Sequence, residues 1–252
     1  LIFILCRNEI GSIIGYLSSI NNKIVPLLLS ADIDDNLLNN LINSYSPEYV
    51  WLPNELISIL KFDKVLYQKW GYSLVSLKNI NKYPINENLA LLLTTSGSTG
   101  SPKFVRQSYT NIKSNTESIV QYLKITNKER PITTLPMNYT YGLSIINTHI
   151  SSGSTLLVTN NSILQKEFWE FFKNESATSF GGVPYTYEML NKIRFERMNL
   201  PSLTTMTQAG GKLSNELQNK FANYAKNNNV NFQTKRSSDA THLSFQSVEK
   251  PC

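Results

Sequence analysis

Leu89-Ala90-Leu91-Leu92-Leu93-Thr94-Thr95-Ser96-Gly97-Ser98-Thr99-Gly100-Ser101-Pro102-Lys103, followed by Phe104-Val105-Arg106-Gln107-Ser108-Tyr109, is the stretch on which the fold turns. The apolar run 89–93 has the length of a buried strand, and 104–109 alternates like a second one. Between them lies a loop of serine, threonine and glycine closed by a lysine. Glycines let a backbone turn tightly and bring its N–H groups close to an anion. The hydroxyls add donors, and an ammonium group follows a polyphosphate as a point charge. Turns of this composition are common without any ligand, so the order of residues matters more than their kind. A Walker A loop needs Gly, four residues, then Gly-Lys-Ser/Thr opening a helix. Here Lys103 stands behind Pro102, three residues after Gly100, and a strand follows. The loop therefore links two strands, and phosphate binding falls to main-chain amides and Lys103 rather than to a helix N-terminus.

Outward from the loop, helical and extended patterns alternate. Leu1 to Cys6 is strand-length. Ile10, Ile13, Ile14, Leu17 and Ile20 keep the spacing of one helix face. Ile24 to Leu29 reads as a buried strand. Leu37, Leu38, Leu41 and Ile42 mark a helix with Asp34 and Asp35 at its start, where carboxylates favour the dipole. Glu48 to Trp51 reads as a strand, Pro53 to Leu60 as a helix, and 79–88 as a linker. Thr110 is placed to cap a helix ending near Leu123. Strands are predicted at Ile132–Leu135 and Thr155–Thr159, with a short helix from about Leu143 between them. Ser162 with Gln165 forms a capping box ahead of a helix to Lys173. Strand Thr178–Gly181, helix Tyr185–Ile193, strand Thr204–Thr207, a helix capped by Ser214 and strand Val230–Gln233 complete the series. Repeated βα units predict an α/β fold of parallel-rich sheets flanked by helices. The division expected is an N-terminal α/β portion, 1–83, and a ligand-binding portion, 84–252.

Composition narrows the class. A chain of 252 residues, 41% hydrophobic, supports a sizeable core. Its mean hydropathy of −0.23 argues against both disorder and membrane residence. No apolar run approaches the roughly 18 residues that span a bilayer. The first residue is Leu rather than Met, which points to a piece of a longer protein. Two cysteines at opposite ends, Cys6 and Cys252, fit a reducing, cytoplasmic setting better than a disulfide framework. The net charge of +6 comes from lysines scattered among asparagines, without the basic stripe of a nucleic-acid surface. Charge of that sign attracts anionic small molecules. His149 and His242 are isolated and read as structural rather than catalytic.

Thr95 to Lys103 resembles the phosphate-binding signature of the adenylate-forming superfamily, which includes acyl-CoA synthetases, peptide-synthetase adenylation domains and luciferases. Three further segments fall in that family's order. Leu135-Pro136-Met137-Asn138-Tyr139-Thr140-Tyr141-Gly142-Leu143 is similar to the segment bordering its acyl pocket. Phe180-Gly181-Gly182-Val183-Pro184 is similar to its Gly-Val-Pro turn, and Gln208-Ala209-Gly210-Gly211-Lys212-Leu213 to its Gly-Gly turn beside adenine. The resemblance implies an N-terminal domain of the acyl-adenylate synthetase type. It also implies ATP-dependent activation of a small carboxylic acid, followed by transfer to coenzyme A or to the phosphopantetheine of an acyl carrier protein. By the same resemblance Thr95, Ser96, Gly97, Ser98, Thr99, Gly100 and Lys103 hold phosphates, with Lys103 and Thr95 stabilising charge in the reaction. Gly210 and Gly211 border the adenine, and Tyr139, Gly142, Gly182, Val183 and Pro184 border the acyl group. Many members carry histidine where Tyr139 stands.

Two departures accompany the resemblance. The family's Tyr-Gly-x-Thr-Glu segment corresponds to Lys235-Arg236-Ser237-Ser238-Asp239-Ala240-Thr241, without its aromatic platform. Ser238 keeps a hydroxyl for phosphate, and Asp239 keeps a carboxylate for Mg²⁺. The family's small C-terminal lid, with its ribose-binding aspartate and catalytic lysine, has no counterpart before Cys252. The alternative function is thus a non-catalytic nucleotide-binding remnant, or a module dependent on a partner that supplies the lid.

Overall fold

The computed structural model describes residues 1–77, 84–94 and 104–234. The chain divides into two compact units, Leu1–Ser114 with Pro136–Thr140, and Asn115–Leu135 with the chain from Tyr141 onward.

In the first unit, strands β1 (Ile2–Cys6), β2 (Pro26–Ser30), β3 (Tyr49–Pro53), β4 (Lys64–Lys69), β5 (Tyr72–Ser76), β6 (Leu89–Thr94) and β7 (Phe104–Ser108) form one sheet. Its order is β4-β5-β3-β1-β2-β6-β7. The four central strands are parallel, and β5, β4 and β7 are added antiparallel at the two sides. Every residue of β1 is buried, as a central parallel strand covered on both faces requires. One face carries Phe3, Leu5, Leu27, Leu29, Val50 and Leu52 against Leu38 and Leu41 of helix α2 (Asp35–Tyr45). Asp34 caps that helix, its carboxylate accepting from the Leu37 amide at 3.0 Å. On the opposite face helix α1 (Ile10–Asn21) lies directly on Trp51, whose indole N–H donates to the Gly11 carbonyl at 2.8 Å. A Cβ on Gly15 would fall 2.3 Å from Trp51 Cδ1, so only glycine permits this approach.

The hairpin β4–β5 carried no sequence signal. Its two-residue turn is Trp70-Gly71, both with positive φ (52° and 75°), a conformation that sequence reading assigns to Asn-Gly or Asp-Gly. Residues 53–60, expected as an α-helix, form a 3₁₀ turn at Asn54–Ile59.

Residues β6 and β7, from the portion expected to begin at 84, belong to this first sheet. They pair antiparallel with Thr94 opposite Phe104, and residues 95–103, read from the sequence as the loop between them, lie outside the described residues. Helix α3 (Tyr109–Leu123) follows. Thr110 lies inside it rather than capping it. Ser108 does that work, its Oγ accepting from the Asn111 amide at 3.1 Å while Asn111 Oδ1 accepts from the Ser108 amide at 3.1 Å.

The second unit holds β8 (Ser179–Gly182), β9 (Thr205–Gln208) and β10 (Asn231–Thr234), parallel in the order β10-β9-β8. Helices α4 (Thr140–Ser151), α5 (Lys166–Asn174), α6 (Pro184–Lys192) and α7 (Asn215–Asn227) accompany them. Phe180 and Met206 turn into a core with Phe168, Phe172, Tyr187, Phe195 and Phe221. The strands expected at 132–135 and 155–159 reduce to single parallel bridges, Pro131 with Ser179 and Ile132 with Leu157. Beyond them Thr133 Oγ1 takes over, donating to the Thr159 carbonyl at 3.0 Å and accepting from its amide at 2.9 Å, so side-chain bonds replace a ladder. Ser162 and Gln165 do pair, the Ser162 amide donating to Gln165 Oε1 at 2.6 Å. The helix nevertheless starts only at Lys166, one step after the pair closes.

Candidate functional site

In a parallel sheet the loops leaving the carboxyl ends of the strands gather along one edge, where ligands of α/β folds bind. In the second unit Gly182, Gln208 and Thr234 occupy one rung of the sheet. Two segments singled out in the sequence leave from that rung, Val183-Pro184 after β8 and Ala209-Gly210-Gly211 after β9, and β10 ends there at Thr234. The Ala209 amide donates to the Gly182 carbonyl at 3.2 Å, tying the two turns together. Pro184 opens α6 at its first helical position, where the missing N–H costs nothing. The Val183 amide is taken up by Thr186 Oγ1 at 3.2 Å.

Gly210 and Gly211 have φ of 78° and 154°, backbone that disfavours other residues. A Cβ on Gly211 would approach Pro184 Cγ at 3.1 Å, so the two turns touch, and main chain rather than side chain faces outward there. Gly210, Gly211 and Lys212 are exposed while Gln208 is buried. An uncovered, rigid backbone of this kind suits a flat polar ligand such as a purine base.

Gln208 opens the motif that contains the Gly-Gly turn. It is 3% exposed, and its amide nitrogen donates to the carbonyls of Ala209 at 3.2 Å and Gly211 at 2.9 Å. It holds the Gly-Gly turn from beneath. The signal was available, because alternation puts residue 208 on the core side with Met206, and a polar group there needs partners.

Beneath the Gly182 turn, Tyr187 Oη donates to the Thr207 carbonyl at 2.8 Å. Burial holds the Tyr187 phenol neutral, well above its ordinary value. Thr134 Oγ1 donates to the Gly181 carbonyl. Gly142 is buried in the first turn of α4 within the second unit. Tyr139 lies in the first unit and is 39% exposed, its amide donating to the Pro136 carbonyl at 3.1 Å. Thus the structure brings Gly182, Val183, Pro184, Gly210 and Gly211 together at one edge.

Thr95, Ser96, Gly97, Ser98, Thr99, Gly100 and Lys103 lie outside the described residues, as do Ser238, Asp239, His242 and Cys252. Among the described residues no group of three or more His, Cys, Asp or Glu side chains is placed to hold a metal. His149 is structural as expected. It is buried in α4 with Nδ1 2.8 Å from the Ile145 carbonyl, and burial lowers its pKa. Cys6 is buried, and burial pushes its thiol well above the ordinary range. No described helix is long and apolar enough to cross a membrane.

With this geometry in view, comparison with known proteins settles the class. The family of AMP-binding enzymes matches residues 32–232, most of the chain, and the chain belongs to that family. It is 28% identical over 127 residues to the acyl-CoA synthetase FUM10 of Gibberella moniliformis, a match covering 50% of this chain and 22% of that relative. It is 29% identical over 132 residues to the oxalate–CoA ligase of Saccharomyces cerevisiae, covering 49% of this chain and 23% of that protein. In three dimensions it is similar to the N-terminal domain of FACL13 from Mycobacterium tuberculosis, with a TM-score of 0.72 at 15% identity. That likeness covers 95% of this chain and 63% of the other. The chain therefore matches less than a quarter of its curated relatives' length.

Gly211 offers a direct check on the edge. Alanine there strains the backbone and presses on Pro184, at a cost of about 1–3 kcal/mol. Titration calorimetry with AMP is expected to show affinity reduced about tenfold, the equivalent of about 1.4 kcal/mol. Unchanged affinity would place the nucleotide elsewhere.

Proposed function

We propose that this chain is the ATP- and acid-binding part of an acid–thiol ligase that forms an acyl-adenylate. In the first step a carboxylate oxygen of the substrate attacks the α-phosphorus of ATP, and pyrophosphate leaves. In the second a thiol sulfur, of coenzyme A or a carrier-bound phosphopantetheine, attacks the acyl carbon and AMP leaves. The observation that carries this reading is the shared rung Gly182–Gln208–Thr234, from which the turns resembling the family's acyl and adenine segments both emerge.

On this reading the division of labour along the sequence is functional, with 1–83 as scaffold and 84–252 supplying the ligand contacts. The Gly210-Gly211 backbone takes the adenine, and Tyr139, Gly142, Gly182, Val183 and Pro184 border the acid. The amides and hydroxyls of 95–100 with Lys103 hold the phosphates, where charge builds as the α-phosphorus is attacked. Ser238 adds a hydroxyl. Asp239 is the carboxylate assigned to Mg²⁺, an ion that, when bound, neutralises phosphate charge. A buried, unpaired Cys6 agrees with a cytoplasmic setting. The curated relatives are named as synthetases and ligases, and no observation favours the non-catalytic alternative.

The test is carboxylate-dependent exchange of labelled pyrophosphate into ATP by the intact protein, over a panel of acids. Exchange that appears only when an acid is added supports the reading. Absence of exchange with every acid, while ATP still binds, would replace it with the remnant.

A further inference from the structure

The first unit carries a cleft of about 530 Å³ at the amino ends of the neighbouring parallel strands β2 and β6. That volume falls in the range of about 300–1,000 Å³ common to small-molecule sites. Val25 precedes β2, Leu89 opens β6 and Tyr109 opens α3, and all three line the cleft. Val25 and Leu89 pack into the core of the unit, so the floor is apolar. Strand β6 runs six residues from Leu89 to Thr94, which puts about 17 Å between the cleft and the carboxyl end of the strand.

Two opposite charges also line this cleft, Lys23 and Glu87. Both are exposed, and neither has an ion-pair partner among the described residues, so they do not neutralise each other. Each stands on anchored backbone. The Lys23 amide donates to the Ile20 carbonyl at 3.2 Å. On either side of Glu87, the Asn88 amide donates to Asn86 Oδ1 at 2.9 Å and the Leu89 amide to the Asn86 carbonyl at 3.0 Å. Beneath them the Tyr109 hydroxyl is buried without a hydrogen-bond partner among the described residues. Packing alone holds that ring, and a hydroxyl in this state favours any arrangement that brings it an acceptor.

Taken singly, an exposed lysine or glutamate is ordinary surface. Together they select the ligand. A simple anion drawn to Lys23 meets the Glu87 carboxylate in the same cleft, and a simple cation drawn to Glu87 meets the Lys23 ammonium. A wholly polar zwitterion leaves the apolar floor uncovered. We infer that the cleft binds an α-amino acid with a branched apolar side chain. Its carboxylate lies toward Lys23, its ammonium toward Glu87, and its side chain over Val25 and Leu89. This site is separate from the Gly182–Gly211 edge, and the inference does not rest on acid activation.

The test is equilibrium dialysis of labelled L-leucine against the intact protein. Two competitors keep the side chain and lose one charge each: 4-methylpentanoate lacks the ammonium and 3-methylbutylamine lacks the carboxylate. Each is expected to displace labelled leucine at least about tenfold less well than unlabelled leucine does, a gap of about 1.4 kcal/mol. Lys23→Ala and Glu87→Ala are each expected to weaken leucine binding about tenfold. Both side chains are exposed, so the melting temperature of either variant is expected to stay within about a degree or two. Gly211→Ala, at the candidate nucleotide edge, is expected to leave leucine affinity unchanged. Failure of leucine to bind overturns the inference, as does unchanged affinity in Lys23→Ala or Glu87→Ala. Displacement by 4-methylpentanoate or 3-methylbutylamine as effective as by leucine overturns the choice of a zwitterion. Binding lost in Gly211→Ala but kept in the other two variants places leucine at the other edge and overturns the cleft.

Discussion

Phe195→Ala is expected to lower stability by about 3–5 kcal/mol, the range for removing a fully buried phenylalanine from a packed core. Phe195 is wholly buried, on the short 3₁₀ turn Phe195–Arg197. Its ring meets four others: Tyr224 at 4.9 Å, Trp169 at 5.7 Å, Phe180 at 5.9 Å and Phe221 at 6.1 Å between centroids. Those partners come from α7, α5 and β8, so one side chain joins three elements of the second unit. Alanine leaves a cavity that two helices and a strand share, and collapse of any one of them cannot fill it. For a chain of this size, each kcal/mol shifts the melting temperature by roughly 2–4 °C. Thermal denaturation is therefore expected to begin on the order of 10 °C lower, with Phe195→Leu recovering about half. A loss below about 1 kcal/mol would mean that the aromatic cluster does not organise this unit. Because β8 carries Gly182 at its end, the same variant is expected to weaken ligand binding through the scaffold rather than by contact.

The aromatic cluster also shows what sequence reading reaches. Helices α1, α2, α6 and α7 were legible because their apolar spacing and caps, Asp34 and Ser214 above all, are local properties. The parallel strands were legible as short apolar runs between them. The hairpin β4–β5 was not, because its turn places Trp70 in left-handed backbone and every residue of β4 is exposed. Neither feature has a local cue, and only pairing with β3 through β5 makes the segment a strand. Thr110 shows a smaller failure of the same kind. It is a good capping residue, but Ser108 lies where Asn111 can answer it, and reciprocity decides the helix start. At the site, Gly210 and Gly211 were legible because glycine adopts positive φ without steric cost. The buried side of Gln208 was legible from alternation along β9, whereas the hydrogen bond between Tyr141 and Thr207 was not, since it depends on which face of a strand meets which helix. Order along the sequence identified the loops, and register across the sheet identified what supports them.

Lys103→Ala is expected to reduce acid-dependent pyrophosphate exchange by about a hundredfold, near 2.7 kcal/mol, the scale for deleting one preorganised group that stabilises developing charge. Thr94 and Phe104, the described residues on either side of the segment, are opposed at the ends of β6 and β7. Of the residues from 95 to 103, Lys103 alone carries a formal charge, and the others offer amides and hydroxyls. Removing the ammonium leaves those donors in place, so ATP binding is expected to weaken less than the reaction slows. The melting temperature is expected to stay within a degree or two, because a loop side chain contributes little to the core. Lys103→Arg separates charge from shape. A guanidinium keeps the charge but presents a planar fork in place of a compact ammonium, so partial recovery is expected, short of the unaltered rate. Exchange unaffected by Lys103→Ala, with fold and ATP affinity both unchanged, would show that the Thr95–Lys103 loop does not hold the triphosphate.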